Sequence, residues 1–404
     1  MSLPRFLCAC LLIAMVVGTV AHATDMNGYR RDAEAIERLV NENYAYLDRF
    51  PSGAMPMTDA LRIEAAAVTD ERSLLRYAER ALMLLSDHHA ITGSSFSDSW
   101  AVVPSYADLW IEYRDGSFII DAVREGSPAF RNGVRAGDML VAIGGSPTHT
   151  AVAAFWNDLG ANFNGERSGF AARILAAGKR DHSRRFTIRS ASGALRSIEL
   201  PSLYSLAERS SQPVAAWRTS QGLTIKINDS LGDIATIGAF DVAMTNAARP
   251  GERIIIDLRD TPSGGNTVIA RAIMGWFVNK PSAYQVHSLP REARRTGIGR
   301  QWIEQVMPRE EGKYHSGSVV VCVGRWTGSM GEGLAIGFDA LGAQVVGGRM
   351  AGLLGAIEDY SLPHSGLVIK LPTERLSAVD GTPREEFRPV DATHEACAPE
   401  IASS

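Results

Sequence analysis

Apolar residues recur along this chain in three successive patterns, and each predicts a different kind of element. From residue 24 to about 103 the spacing is helical: Ile36, Leu39, Val40, Tyr44 and Leu47 share one face, as do Leu74, Tyr77, Ala78, Ala81, Leu82 and Leu85. Pro51, Gly53 and Pro56 separate the two stretches, and Asp70 is placed to cap the second. From about 104 to 202 short β runs take over, WIEY (110–113), FIIDAV (118–123), DMLVAI (138–143), FTIR (186–189) and LRSIEL (195–200). From 203 onward strands and helices alternate. GLTIKIN, IATIGAF, RIIIDLR and SVVVCVG read as near-continuous apolar strands, NTVIARAIMGWFV and EGLAIGFDAL as helices, which is the pattern of a βα domain.

The chain has 404 residues, enough for two or three domains, and its 45% hydrophobic and 21% charged composition is that of a soluble globular protein. Residues 1–23 differ. Arg5 is followed by a short apolar run and then Ala21-His22-Ala23, which reads as a cleavable export signal rather than a membrane span. The expectation is an exported protein, periplasmic or secreted. A net charge of −4 with no basic run gives no reason to expect nucleic acid or anionic lipid as a partner. Cys322 and Cys397 remain after the signal. They could pair in an oxidising compartment, or Cys322 could be a small buried hydrophobe in its VVVCV run; the sequence leaves both open.

The segment with most chemistry in it is VVVCVGRWTGSMGE, residues 319–332. A buried strand running through a Gly-rich turn into a helix exposes Ser329 and leaves backbone N–H groups free beside it. IIIDLRDTPSGGNT, residues 254–267, ends another strand in Gly264-Gly265, and DGTPREEFRPVD covers residues 380–391. LMLLSDHHA, residues 82–90, brings Asp87, His88 and His89 to the end of an apolar helix. No Cys or His cluster supports a metal site, and no cofactor is expected.

Two resemblances join these segments. EGSPAFRNGVRAGDMLVAIGGSP, residues 125–147, resembles the PDZ domains of secreted bacterial proteases through Ser127, Pro128, Ala129, Gly133, Gly137 and Asp138. Such domains bind an extended peptide at a sheet edge, often by its C-terminal carboxylate. The order Asp-x-His, DLR…GG, TGSMGE and E-x-x-P-V-D is similar to that of the S41 serine peptidases, which include the C-terminal processing and tricorn-like proteases. The resemblance implies a multidomain α/β protein: signal peptide 1–23, helical region 24–103, PDZ-like β domain 104–202, and an α/β catalytic core of the S41 (ClpP/crotonase-like) type over 203–404.

It also implies roles. Ser329 would be the nucleophile, and Gly264, Gly265 and Met330 would form the oxyanion hole. Processing proteases of this family use a lysine base, but the corresponding position here is Leu353 or Leu354, Arg349 cannot deprotonate, and Lys370 reads as a solvated strand residue. The tricorn-like branch uses a histidine supported by a glutamate near the C-terminus, which implies His89 as base with Glu386, or Glu385, behind it. Where that branch has a serine before the histidine this chain has His88, so Asp87 is an alternative partner for the imidazole. The expected function is a secreted serine endopeptidase acting on proteins or peptides, with homo-oligomerisation left open. The alternative is an inactive S41-like, PDZ-containing protein that binds a peptide or ligand.

Overall fold

The computed structural model describes residues 26–203, 212–262, 264–390 and 397. The expected signal at residues 1–23 lies outside them. No described helix is long and apolar enough to cross a membrane.

Three helices open the described chain, Met26–Asn43, Asp59–Ala66 and Glu71–Met83. Asp70 caps the third, its side chain accepting the Ser73 N–H at 2.7 Å. The residues spaced at helical intervals face inward: Ile36, Val40, Leu74, Tyr77 and Ala81 are all buried. A six-stranded antiparallel sheet follows. Strands Leu109–Arg114, Ser117–Val123, Met139–Ile143, Arg184–Arg189 and Leu195–Leu200 lie side by side in that order, with Ser146–Pro147 paired to Met139–Ile143. All five predicted β runs are strands. Two helices were not foreseen in this stretch, Thr148–Asp158 and Gly165–Ala177, and they bury Val152, Trp156, Phe170, Ala171 and Ile174. These side chains join Ile36, Leu61 and Tyr77 in one continuous apolar cluster, so the helical region and the β module share a core.

The third region is a parallel sheet of Gln344–Gly347, Val319–Val323, Ile254–Asp257 and Gly222–Ile227, extended antiparallel by Val214–Thr219. Asp257 and Cys322 are register partners, so the turns after both strands emerge at the same sheet edge. IATIGAF is the one predicted strand that is not one: it opens the helix Ala235–Ala247. Asp233 accepts the Ala235 N–H, and Thr236, Phe240 and Met244 are buried at intervals of four. The β-branched residues hid a helical period that shows only when the window extends to Met244.

A further sheet stitches the two halves together. Its long strand Val368–Ser377 pairs with Ile91–Thr92, immediately after His89, as well as with Ala356–Ser361 and Ser282–Ser288, while Gln301–Val306 pairs with Ser282–Ser288. This pairing carries the end of the N-terminal region to the loop at 350–355.

Candidate active site

Ser329 stands at the junction of strand Val319–Val323 and helix Met330–Ala340, with φ +50° and ψ −111°. A non-glycine residue seldom adopts this conformation, and the surrounding turn enforces it. The Thr327 hydroxyl donates to Leu258 O at 2.7 Å and accepts the Gly324 N–H at 3.0 Å. Gly328 donates to Thr261 O, and a Cβ there would come within 2.7 Å of Pro262 O, so only glycine lets the two strand-end loops touch. Gly264 lies across from the hydroxyl: a Cβ on it would sit 3.4 Å from Ser329 Oγ. Among the described residues no protein acceptor takes the backbone N–H of Gly264, Gly265 or Met330. Met330 opens a helix, where the dipole adds to the attraction for negative charge.

His89 closes the arrangement from the other end of the chain. Its Nε2 lies 3.2 Å from Ser329 Oγ and its Nδ1 2.7 Å from Leu354 O. A carbonyl oxygen only accepts, so Nδ1 carries the proton and Nε2 is left as an acceptor for the serine O–H. Burial pulls the His89 pKa down to about 4, opposed by the Leu354 carbonyl and reinforced by the charge of Arg384. The imidazole is therefore neutral, and able to take a proton, at neutral pH.

The other candidates fall into place around this pair. Asp87 is buried, but it holds the backbone of His89 and not its ring: Oδ1 accepts the His89 N–H and Oδ2 the Tyr44 hydroxyl, both at 2.8 Å. Burial raises the Asp87 pKa to about 6 against the pull of Arg49. His88 faces away. Its Nδ1 meets Val102 O, its Nε2 accepts from Arg173, and its ring stacks on Phe170 at 4.4 Å. Lys370 is paired with Asp359 on the adjoining strand.

Glu386 is exposed on the short 3-10 turn Arg384–Glu386, and no hydrogen bond joins its carboxylate to His89 among the described residues. Its neighbour Glu385 points inward. Glu385 Oε2 is buried without a hydrogen-bond partner, and its charge helps raise the pKa of Asp87 and of Tyr46. Neither carboxylate is hydrogen-bonded to the His89 ring among the described residues, and Glu385 is the one whose charge reaches Asp87.

Glu332 and Leu354 carry roles that residue types alone did not reveal. Glu332 is fully buried. Its Oε2 accepts the N–H of Ser329 at 2.9 Å and of Leu353 at 3.1 Å, and its Oε1 that of Gly352 at 2.7 Å. One carboxylate thus ties the Ser329 turn to the loop that orients His89. Burial pushes the Glu332 pKa up to about 7, against Arg384 and the three N–H donors. Its position three residues after Ser329 was visible, its burial was not. Leu354 contributes only a backbone carbonyl, which no side-chain pattern announces.

Cys322 and Cys397 form a disulfide with Cα atoms 5.7 Å apart, packed with Ile255, Val320 and Val346. The Arg259 guanidinium, itself paired with Asp257, donates to Cys397 O at 2.6 Å. Both alternatives for Cys322 therefore hold at once: it is buried and it is bonded. A cleft of about 1230 Å³ opens beside the site, lined among others by Ala90, Trp100, Ser127, Arg124, Lys226 and Pro262. Its walls include Asp87, Ala90 and Pro262, chain neighbours of His89 and of the Gly264 turn, and come from all three regions. Among the described residues no group of three or more potential metal ligands comes together.

Comparison with known proteins bears on the family and the fold. Residues 233–395 match peptidase family S41. No curated protein sequence matches the chain. Among solved structures it is similar to a photosystem II D1 C-terminal processing protease, with TM-score 0.56 and 15% identity over 90% of this chain and 92% of that one. It is also similar to mature CPAF complexed with lactacystin, with TM-score 0.54 and 14% identity over 91% and 93% of the two chains. At these identities the likeness concerns the fold, and the family match rests on the segment that holds Ser329, Glu332 and Leu354. Residues 233–395 are thus similar to peptidase family S41, and the fold around them is similar to those of two proteases.

Proposed function

We infer that the protein is an exported serine endopeptidase in which Ser329 is the nucleophile and His89 its general base. The observation that carries this reading is the 3.2 Å contact between Ser329 Oγ and His89 Nε2, with Nδ1 committed to Leu354 O. As Oγ attacks a scissile carbonyl carbon, its proton passes to Nε2 and the carbonyl oxygen takes up the negative charge. The unpaired N–H groups of Met330 and the Gly264-Gly265 turn receive that charge. The imidazolium then gives its proton to the leaving amine as the C–N bond breaks, and an acyl group remains on Ser329. Water, deprotonated by His89 in turn, releases it. The Leu354 carbonyl favours the imidazolium throughout, the part a carboxylate plays in a Ser-His-Asp arrangement.

The 104–202 module would present an extended or C-terminal segment of a protein substrate to the cleft, in the PDZ manner that residues 125–147 suggest. Support comes from the lining of the cleft, where Arg124, Ser127 and Arg131 of that module face Lys226, Asp260 and Pro262 of the catalytic domain. Export rests on residues 1–23 and on the disulfide, a bond suited to an oxidising compartment.

The test is intact-mass analysis after exposure to a fluorophosphonate, which forms a covalent adduct with an activated serine. One adduct on Ser329, absent from Ser329→Ala and formed roughly 10²–10⁴-fold more slowly in His89→Ala, is expected. No adduct on the folded wild type would overturn the reading in favour of a binding protein.

A further inference from the structure

Behind the loop that holds His89 and Glu332 lies a second cavity, of about 210 Å³, lined by five arginines: Arg173, Arg325, Arg349, Arg384 and Arg388. A single water occupies roughly 30 Å³ of liquid, so the space is larger than a structural water needs. Three carboxylates, Glu112, Glu332 and Glu385, face it as well. Their engagements leave positive charge in excess. Glu112 is paired with Arg325 and with Arg114, and both oxygens of Glu332 are taken by backbone N–H groups.

Among the described residues, Arg325 alone of the five guanidiniums has carboxylate partners in ion-pair range, Glu112 and Asp121. Arg173 donates to neutral acceptors, His88 Nε2 and Ile111 O, and lies over the Trp110 ring, which Arg325 also covers. Arg384 is 2% exposed and spends one nitrogen on Leu353 O and Gly355 O, while its buried Nε has no hydrogen-bond partner. Arg349 and Arg388 stand at the exposed mouth, where Arg388 donates to the carbonyls of Glu386 and Phe387, and where desolvation and then the charge of Arg349 disfavour its own charge. The buried Arg384 Nε is costly to leave without an acceptor, and Arg349 and Arg388 add positive charge at the mouth.

We propose that this cavity is a binding site for a small tetrahedral oxyanion, specifically monohydrogen phosphate, held by Arg384 Nε, Arg349 and Arg388 and selected by Glu385. The three holding arginines come from two separate segments, the 349–350 loop and the 384–388 turn, a spread that suits a tetrahedral acceptor better than a planar carboxylate with one bidentate edge. Glu385 supplies the discrimination. Its Oε2 is buried and unpartnered in a cavity otherwise full of donors, and it can accept the P–O–H of monohydrogen phosphate. Sulfate has no proton to offer and would meet that carboxylate with like charge. The site is distinct from the Ser329 hydroxyl and its occupancy does not depend on peptide hydrolysis.

Calorimetric titration of the full-length protein with inorganic phosphate and with sulfate, at ionic strength matched by chloride, tests the proposal. Saturable phosphate binding in the millimolar range or tighter is expected, with sulfate weaker. The exposed pair Arg349→Ala/Arg388→Ala should weaken phosphate by roughly tenfold or more, the loss of at least one charge-assisted hydrogen bond. Glu385→Gln, whose amide can donate, should erase the preference over sulfate. Absence of saturable binding, or binding unchanged in the arginine pair variant, would overturn the site. Equal affinity for the two anions in the wild type would overturn its assignment to phosphate.

Discussion

The Nδ1 proton of His89 points at the carbonyl of Leu354, 2.7 Å away and 265 residues further along the chain. That contact replaces the carboxylate expected behind a catalytic histidine. It also makes the base dependent on a loop, and the loop in turn on Glu332, which holds the N–H groups of Gly352 and Leu353.

Glu332→Gln should therefore damage both stability and reactivity. An amide cannot accept at both oxygen positions, so at least one buried N–H among Ser329, Gly352 and Leu353 loses its partner, which costs about 1–3 kcal/mol. Urea denaturation should show that loss, and fluorophosphonate labelling of the folded variant should slow. Labelling at the wild-type rate would mean that the loop holds its position without the carboxylate.

Glu385 and Glu386 should separate cleanly. Glu386→Ala removes an exposed side chain and should leave the labelling rate within a factor of about two, as surface substitutions usually change stability by no more than ~0.5 kcal/mol. Glu385→Ala removes a charge that acts on Asp87 and Tyr46 beneath the histidine and should alter the rate. The reverse ranking would show that the turn at 384–386 is arranged differently in the working enzyme.

The labelling rate should rise with pH in two steps. One lies near pH 4, where His89 loses its proton, and the other near pH 7, where Glu332 does. Glu332→Gln should keep the first and lack the second. Stability responds with opposite signs. The folded pKa of His89, about 4, lies below its ordinary 6.5, so the unfolded chain binds more protons between those values. Stability from this residue is present above pH 6.5 and falls as pH drops towards 4. Glu332 is raised from 4.5 to about 7 and Asp87 from 3.8 to about 6, so their contributions are full at low pH and are lost as pH rises through the folded values. A single labelling step near 6.5 would contradict a buried, neutral base.

Reducing the disulfide, or replacing Cys397 with serine, should lower stability by about 2–4 kcal/mol, the usual worth of such a bond. The link closes a 75-residue separation and anchors the chain beyond Pro389 to the strand that leads into Ser329. Thermal unfolding of the protein with and without a thiol reductant, against Cys397→Ser as control, measures it. A reductant effect that persists in the variant would point to something other than this bond.

Much of the molecule could be read locally. Asp70 as a helix cap, the five β runs of the 104–202 module and the turn at Ser329 follow from side-chain chemistry and spacing within a dozen residues. IATIGAF shows the limit of short windows, since β-branched residues favour a strand until Phe240 and Met244 reveal the longer period. The helices at 148–158 and 165–177 were missed for a related reason. Small residues on both faces, such as the half-buried Ala153, the exposed Ala154 and the buried Ala171 and Ala172, blur the apolar contrast that marks a helix.

The sequence by itself determined the candidate nucleophile, the glycines beside it and a histidine as the candidate base, because these depend on residue type in short motifs. What Asp87, His88, Glu385 and Glu332 do was decided only by the tertiary structure. Whether a carboxylate meets an imidazole ring, a backbone N–H or solvent depends on which distant loop packs against it. Here the strand Val368–Ser377 brings Ile91–Thr92 and the 350–355 loop together, and the partner that results for His89 is a main-chain carbonyl common to every residue type.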